Sequence, residues 1–185
     1  IQNNSIGITP TGAFDGNGVG ITLRSGVTGS TVRENHIVGS ITSAVLLLDD
    51  DTERNRITRN TFLGNGGVAI DLGGDGPTPN DLNDSDSGPN RMFNTPTILE
   101  SSSNLVRGSS PSRAHVEVYT VDVSDSTLTD SSGFGPGREF IGSVDANASG
   151  HWSLEVVLPP GVALTAIAID ELGNTSEFSA NFRSE

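Results

Sequence analysis

The part of the sequence best suited to chemistry is an acidic segment that runs from residue 71 to residue 90. It contains five aspartates, three asparagines and no basic residue. Carboxylates at this density repel one another unless water or a cation screens them, and calcium takes about six to eight oxygen ligands from carboxylate, amide and backbone carbonyl groups. We therefore predict a calcium site here, with these candidate ligands: Asp71, Asp75, Asp81, Asn83, Asp84, Asp86 and Asn90.

The spacing within this segment favours metal binding without matching a known calcium loop. From residue 81 the sequence reads D-x-N-D-x-D-x-G, which places side-chain oxygens on alternate residues of a tight loop, with Gly88 available for the turn. The segment is not an EF-hand, because it lacks the closing glutamate and no predicted helices flank it. A solvated connector without metal is the alternative, because three prolines are equally typical of a linker, namely Pro77, Pro79 and Pro89.

A repeat that precedes the acidic segment indicates which elements position it. Three segments share the pattern aliphatic, two polar, Asn, one polar, apolar; they are residues 1–6, 32–37 and 57–62. Each is followed by a second apolar cluster with alternating polarity, at residues 19–23, 44–48 and 68–72. The second and third asparagines of the pattern are 25 residues apart. A repeat of this length predicts a parallel β-solenoid, in which stacked coils share one apolar interior.

The repeated asparagines, Asn4, Asn35 and Asn60, have a physical role in such a solenoid. Equivalent residues of adjacent coils lie about 4.8 Å apart. We therefore expect the three amides to form a ladder at a buried corner, where they pair with turn backbone groups. In the same register, Glu34 is expected to lie beside Arg59 on the outer face. The alternative is that the three segments are unrelated strands of a β-sandwich.

The repeat disappears beyond residue 96, where turn residues separate seven short apolar segments. The predicted strands are residues 97–99, 104–106, 114–121, 139–144, 152–158, 164–169 and 177–182. Short strands with this spacing predict a small antiparallel β-sandwich of immunoglobulin-like type. We accordingly divide the chain into three parts: solenoid coils at residues 1–76, a calcium-binding junction at residues 77–96 and the sandwich at residues 97–185.

Two motifs resemble those of a known group of proteins. Residues 66–96 read GGVAIDLGGDGPTPNDLNDSDSGPNRMFNTP, and residues 170–179 read DELGNTSEFS. Together they resemble the secreted bacterial right-handed parallel β-helix repeat proteins, in which a solenoid ends in an aspartate-rich segment before a sandwich domain. The resemblance implies an all-β chain with a short right-handed parallel β-helix of about three coils, followed by a small antiparallel immunoglobulin-like β-sandwich. It also implies an extracellular, cell-surface-associated protein, and most members of that group have no assigned activity.

The composition excludes several functional classes. The formal charge is −13, and all ten basic residues are arginine, so the chain repels nucleic-acid phosphates. The absence of cysteine excludes a disulfide scaffold and thiol chemistry. The longest apolar run, residues 44–48, is far shorter than the roughly 20 residues of a membrane-spanning helix. We therefore predict neither a nucleic-acid partner nor membrane insertion.

These observations predict a structural or adhesive surface module that is stabilised by calcium and has no catalytic activity. The sequence begins within a coil, so we expect either a fragment of a longer chain or an open coil end. Such an end would stack on another copy, head to tail or end to end, or meet an extracellular polymer. The alternative is a carbohydrate-binding or polysaccharide-lyase-type module for acidic polysaccharides. Its candidate residues are Asp49, Asp50 and Asp51 with Arg24, Arg56 or Arg59.

Overall fold

The computed structural model describes residues 1–122 and 132–183, and within them the chain is all-β. Eight strands of two or three residues form the first part, which we call the parallel stack. They are β1 (Ser5–Ile6), β2 (Ile21–Leu23), β3 (Thr31–Arg33), β4 (His36–Val38), β5 (Val45–Leu47), β6 (Arg56–Thr58), β7 (Thr61–Leu63) and β8 (Ile70–Leu72).

The strands of the parallel stack pair in parallel and form three small sheets, in the orders β1-β4-β7, β2-β5-β8 and β3-β6. Most paired residues are 25 positions apart, as His36 and Thr61 are, so the chain returns to lie beside itself once per repeat. This gives three layers: β1 and β2, then β3 to β5, then β6 to β8. Alternate side chains point inwards, and Ile37, Phe62 and Leu47 are almost fully buried.

A residue in the left-handed conformation turns the chain at each of seven corners of the stack. These residues have φ between 52° and 67° and each directly precedes an asparagine or serine; they are Asn3, Gly29, Glu34, Gly39, Arg54, Arg59 and Gly64. For a residue with a Cβ atom this conformation costs about 1–2 kcal/mol. The corners therefore depend on stabilising contacts to the residues that follow.

Asparagine amides of the next layer supply such contacts to the residues after four of these corners. Oδ1 of Asn60 accepts the backbone N–H of Asn35 at 3.0 Å, and Nδ2 of Asn60 donates to the carbonyl of Val32 at 2.8 Å. Asn55 and Asn65 make the same pair of contacts at the other two corners of the third layer. The spacing of five residues between these three asparagines is the length of one side of the stack.

The predicted ladder is confirmed at the middle corner. Nδ2 of Asn4 donates to Oδ1 of Asn35 at 3.0 Å, and Nδ2 of Asn35 donates to Oδ1 of Asn60 at 2.9 Å. The predicted neighbours Glu34 and Arg59 do not form an ion pair. Glu34 instead binds the guanidinium of Arg33 with both carboxylate oxygens at 3.0 Å.

The second part of the chain is antiparallel. A single helical turn, Pro89–Met92, precedes it. Its strands are β9 (Thr97–Ser102), β10 (Leu105–Ser109), β11 (His115–Val121), β12 (Glu139–Asp145), β13 (His151–Glu155), β14 (Ala163–Ile169) and β15 (Phe182–Arg183). They form two sheets, β13-β10-β9 and β12-β11-β14-β15. Residues of both sheets, among them Val106, Trp152, Val118 and Leu164, bury one common apolar core.

Six of the seven strands predicted for this part coincide largely with an observed strand, whereas the last shares a single residue with one. The prediction placed a strand at residues 177–182, but β15 begins only at Phe182. The preceding residues are buried and carry polar side chains that bind the parallel stack, as described below. In this segment the hydroxyls of Ser176 and Ser179, rather than backbone carbonyls, accept the N–H groups of Ala168 and Ala166 of β14, so the regular strand ladder is interrupted.

No helix within the described residues is long and apolar enough to cross a membrane.

The corner amides lead to the first prediction. Asn60→Ala removes the acceptor of the Asn35 N–H and the donor to the Val32 carbonyl in a buried corner. An unsatisfied buried polar group costs about 1–3 kcal/mol, so we expect the free energy of unfolding in urea to fall by at least that amount. Asn17→Ala, at an exposed position, is the control and should change stability by less than about 0.5 kcal/mol. Equal losses in both variants would contradict this role of the ladder.

Candidate functional site

Three carboxylates of the acidic segment lie together. Single carboxylate oxygens of Asp81, Asp84 and Asp86 are all within 4.8 Å of one another, and theirs is the one such acidic or histidine group among the described residues. They belong to a tight loop in which Asn83 and Asp84 have positive φ. We call these three residues the aspartate cluster.

Hydrogen bonds fix the shape of the loop around the aspartate cluster. Oδ2 of Asp81 accepts both the N–H and the hydroxyl of Ser85, at 2.8 and 2.7 Å. Oδ1 of Asp84 accepts the N–H of Asn94 at 2.7 Å, and Nδ2 of Asn94 donates to the Asp81 carbonyl at 3.0 Å. The loop is therefore tied to the segment that leads into β9.

The electrostatics of the cluster are uneven. The hydrogen bonds from Ser85 lower the pKa of Asp81. Partial burial, together with the charges of its acidic neighbours, raises the pKa of Asp84, and burial and the charge of Asp81 raise the pKa of Asp86. Two carboxylates that resist ionisation beside a third are an arrangement that a divalent cation would relieve, because its charge favours the ionised forms.

The cleft beside the cluster has a volume of about 470 Å³. Asp81, Asn83 and Asp84 line one side of it, and residues 109–112, at the end of β10, line the other. The lining is rich in hydroxyl and amide oxygens, which are the ligand types that calcium accepts. Asn83, which the sequence singled out, therefore shares this cleft with two of the clustered aspartates.

The other predicted metal ligands lie elsewhere. Asp71 is buried, where Oδ2 accepts the hydroxyl of Ser43 at 2.8 Å and Oδ1 accepts the N–H of Gly74 at 3.0 Å. Asp75 is exposed in the turn after β8. Asn90 is fully buried and hydrogen-bonded on both sides of its amide, as the next paragraphs describe. The structure thus brings together three of the seven predicted residues, and Asn83 lines the adjoining cleft with two of them.

The end of the parallel stack is a second polar site, which we call the end cap. The third layer has no further layer beyond it, so backbone groups of residues 52–72 need partners from another source. Side chains and one carbonyl from later in the chain supply these partners. The acceptors are Asn90, Glu117, Tyr119, Gly137, Asn174, Thr175 and Glu177.

Asn90 continues the pattern of the corner amides. Its Oδ1 accepts the N–H of Asn55 at 3.0 Å, and its Nδ2 donates to the carbonyls of Asn55 and Thr175 at 2.7 and 3.1 Å. Beside it, Oδ1 of Asn174 accepts the N–H of Arg54 at 2.6 Å. The hydroxyl oxygen of Thr175 accepts the N–H of Ile57 at 2.9 Å. These side chains occupy the places that the backbone of a fourth layer would fill.

Two buried glutamates complete the end cap. Glu117 on β11 accepts the Thr58 hydroxyl, the Arg59 N–H at 3.0 Å and the Tyr119 hydroxyl. Glu177 accepts the N–H of Leu72 at 2.8 Å through Oε1 and the N–H of Thr78 at 2.7 Å through Oε2. Their side chains are 1% and 3% exposed. Both carboxylates are committed to structural hydrogen bonds, which leaves them poorly placed for acid–base chemistry.

Aromatic rings seal the same junction. Phe178 packs edge-on against Phe62 of β7, with ring centroids 5.7 Å apart, and against Tyr119 of β11 at 5.4 Å. One continuous apolar cluster therefore contains residues of all three layers together with Tyr119, Ile167 and Phe178. The two parts of the chain share a core as well as a row of hydrogen bonds.

The acidic run that the lyase alternative used does not form a comparable site. Oδ2 of Asp49 accepts the N–H of Ser25 at 2.8 Å, where it stabilises a corner. Asp50 and Asp51 are exposed. Within residues 1–122 and 132–183, these three carboxylates do not converge as the aspartate cluster does.

The chain matches no protein-family model and no curated protein.

Sequence reasoning missed the end cap. Asn174, Thr175 and Glu177 enter the sequence analysis only within the motif at residues 170–179, and Glu117 only within the strand predicted at residues 114–121. The alternation of β11 places Glu117 and Tyr119 on the face opposite Val116 and Val118, and nothing in the sequence pattern indicates that this face is buried against the parallel stack. A carboxylate at such a position requires donors, and the unpaired last layer provides them.

Glu177 leads to a prediction about pH. Burial, with smaller contributions from the charges of Asp71 and Asp75, raises the pKa of Glu177 from 4.5 to about 7. Because the folded state binds this proton more tightly, the stabilising contribution is fully present below pH 4.5 and is lost as the pH rises through 7. From pH 5 to pH 8 we expect the free energy of unfolding to fall by up to about 3 kcal/mol from this group.

The measurement compares urea unfolding of the wild type and Glu177→Gln at several pH values. The variant cannot ionise, so its stability should depend less on pH over this range, and the difference between the two proteins isolates Glu177. Glu155→Gln, at an exposed position, should retain the wild-type dependence. Parallel curves for the wild type and Glu177→Gln would contradict the assignment.

Proposed function

We propose that this protein is an extracellular structural module, without catalytic activity, in which calcium stabilises the acidic loop next to the end cap. The observation that carries the proposal is the end cap itself. Polar side chains there form hydrogen bonds between the two parts of the chain. The two buried glutamates, Glu117 and Glu177, belong to this set and make structural hydrogen bonds. An extracellular, surface-associated location is supported by the resemblance of residues 66–96 and 170–179 to secreted bacterial repeat proteins.

We infer that the parallel stack is a short right-handed parallel β-helix of about three coils. The 25-residue return of the chain supports this inference, as does the strong preference of parallel crossover connections for the right-handed sense. We infer further that the antiparallel part is an immunoglobulin-like sandwich. Its first, second and fifth strands form one sheet and the other four form the second sheet. This differs from the constant-type arrangement only in the sheet that the fourth strand joins.

We retain three proposed segments, residues 1–76, 77–96 and 97–185, but expect them to unfold together. Asn90 belongs to the proposed junction and binds Asn55 in the stack and Thr175 in the sandwich. The shared apolar cluster supports the same expectation. A single cooperative unfolding transition is therefore part of the proposal.

The proposed calcium ligands are Asp81, Asp84 and Asp86, with Asn83 beside them. The convergence of three carboxylate oxygens within 4.8 Å supports a hard divalent cation, and the oxygen-rich cleft favours calcium over a metal that prefers nitrogen or sulfur. A bound ion would neutralise the cluster and fix the loop that Asn94 ties to β9.

Calcium dependence of stability tests the proposal. A ligand that binds only the folded state at about a hundredfold excess over its Kd stabilises it by roughly 2.7 kcal/mol. We therefore expect calcium to raise the melting temperature of the wild type after chelator treatment. The triple variant Asp81→Asn, Asp84→Asn, Asp86→Asn should lose this response.

A matched triple variant controls for the removal of charge alone. Asp15→Asn, Asp50→Asn and Glu155→Gln neutralise three exposed acids outside the cluster and should leave the calcium response intact. A wild-type melting temperature that is the same with calcium and with chelator would refute the calcium site. Equal stabilisation by magnesium would identify a general divalent-cation site and refute calcium selectivity.

Self-association is proposed to use the first layer. Strands β1 and β2 lie at the outer ends of their sheets, whereas the edge of the third layer is covered by the end cap. Stacking end to end through two first layers is therefore favoured over head-to-tail stacking, which would need the covered edge. Such a contact uses the same surface on both copies and closes after two.

Sedimentation velocity at increasing protein concentration checks this expectation. We expect monomer and dimer and no larger species. Growth into longer assemblies would contradict the end-to-end contact, because only a head-to-tail contact continues indefinitely. A monomer at all concentrations would rule out self-association through the first layer and leave an extracellular polymer as the proposed partner.

A further inference from the structure

We propose that a groove between the parallel stack and β11 binds an anionic saccharide, through guanidinium groups that the fold leaves without carboxylate partners. The groove has a volume of about 430 Å³. We call it the arginine groove and define it by Arg33, Glu34, Arg56, Arg59, His115 and Glu117. It is separate from the aspartate cluster, and the inference is independent of the calcium site.

The two carboxylates of the groove are already occupied. Glu34 binds the guanidinium of Arg33 through both oxygens. Glu117 is 1% exposed and accepts hydrogen bonds from Thr58, the Arg59 backbone and Tyr119. Neither carboxylate therefore offers an open site for a cation, and neither satisfies the side chains of the remaining two arginines.

Arg56 and Arg59 are the residues that we expect to bind the ligand. Both are exposed, and the ion pairs found within the described ranges do not include either of them. Cζ of Arg59 lies over the ring of Phe140, 5.0 Å from its centroid, which is a cation–π contact. Two exposed guanidinium groups outside these ion pairs therefore line one groove of a chain whose formal charge is −13.

The chemistry of the groups specifies an oxyanion. A guanidinium presents parallel N–H donors that match a carboxylate or sulfate, and such charge-assisted hydrogen bonds are stronger than neutral ones. His115 adds a further polar group, since its Nδ1 is bound to Asp145 at 2.6 Å and leaves the other ring nitrogen for the groove. Asp145, Asp170 and Glu171 line an adjoining cleft, which Arg56, Arg113 and His115 line as well.

The shape of the groove favours a saccharide over an acidic peptide. Its lining consists of charged groups and threonine hydroxyls, with no apolar pocket for a side-chain anchor. The adjacent edge of β6 is covered, because Thr175 accepts the N–H of Ile57, so an extended peptide finds no free strand to pair with. A chain of hydroxyl-rich, charged sugar rings requires neither an anchor pocket nor a strand edge.

The proposal is tested by calorimetric titration of the protein with a short oligogalacturonate in the presence of chelator. The chelator excludes a calcium bridge to the aspartate cluster. We expect saturable binding that weakens as salt is added, because ions screen the exposed guanidinium groups. The double variant Arg56→Gln, Arg59→Gln should raise the Kd at least about tenfold, which is the effect of losing one charge-assisted hydrogen bond or more.

Matched controls separate the groove from general attraction. Arg24→Gln with Arg107→Gln removes two charges from exposed arginines outside the groove and should leave the Kd within about twofold. A methyl-esterified oligogalacturonate should not bind. A heparin-derived oligosaccharide forms a second arm, and tighter binding of it would identify sulfate rather than carboxylate as the preferred group.

Several results would overturn the proposal. One is the absence of binding to both anionic saccharides. Another is an equal loss of affinity in the control double variant and in the groove double variant. That result would show that the net charge of the protein, and not the groove, determines the affinity. Equal affinity for poly-glutamate would also reject a saccharide site. Melting temperatures of both double variants, compared with the wild type, establish that a loss of binding is not a loss of fold.

Discussion

The architecture depends on one constraint, which is that the outermost layer of a parallel stack exposes backbone groups with no strand to receive them. Left in water, such an edge frays or pairs with another chain; left buried without partners, each group costs free energy. In this protein, side-chain oxygens accept hydrogen bonds from these backbone groups; they belong to Asn90, Thr175 and Glu177. The second part of the chain is thereby fixed against the first. The positions of the aspartate cluster and of the arginine groove follow from that attachment.

The parts of the fold that sequence reasoning predicted are those in which a local pattern repeats. The corner asparagines and the apolar positions around Ile37 and Phe62 recur every 25 residues, and repetition makes a pattern visible without coordinates. The end cap occurs once and joins residues more than 100 positions apart, such as Leu72 and Glu177. No periodicity records a contact of that kind, so neither the cap nor the loss of the last predicted strand was foreseen.

The candidate metal site was predictable in part for a related reason. Asp81, Asp84 and Asp86 are close in sequence, so a tight loop brings their oxygens together whatever the surroundings. Asp71 and Asn90 have the same residue types, yet the stack uses them to satisfy backbone and hydroxyl groups. Composition reveals that oxygen ligands are abundant in a segment, but burial decides which of them remain available for a cation.

The corner amides of the third layer have a direction, because each Oδ1 accepts an N–H of the second layer or of the chain leading into it, and each Nδ2 donates to a carbonyl on that same side. Every layer is therefore a template for an identical neighbour, while the hydrogen bonds of the end cap reach only residues of the third layer and the loop after it. Duplication or loss of a 25-residue unit ahead of that layer leaves the cap interface untouched. The number of layers in the parallel stack can therefore change in evolution by whole repeats without a change in the antiparallel part that caps it.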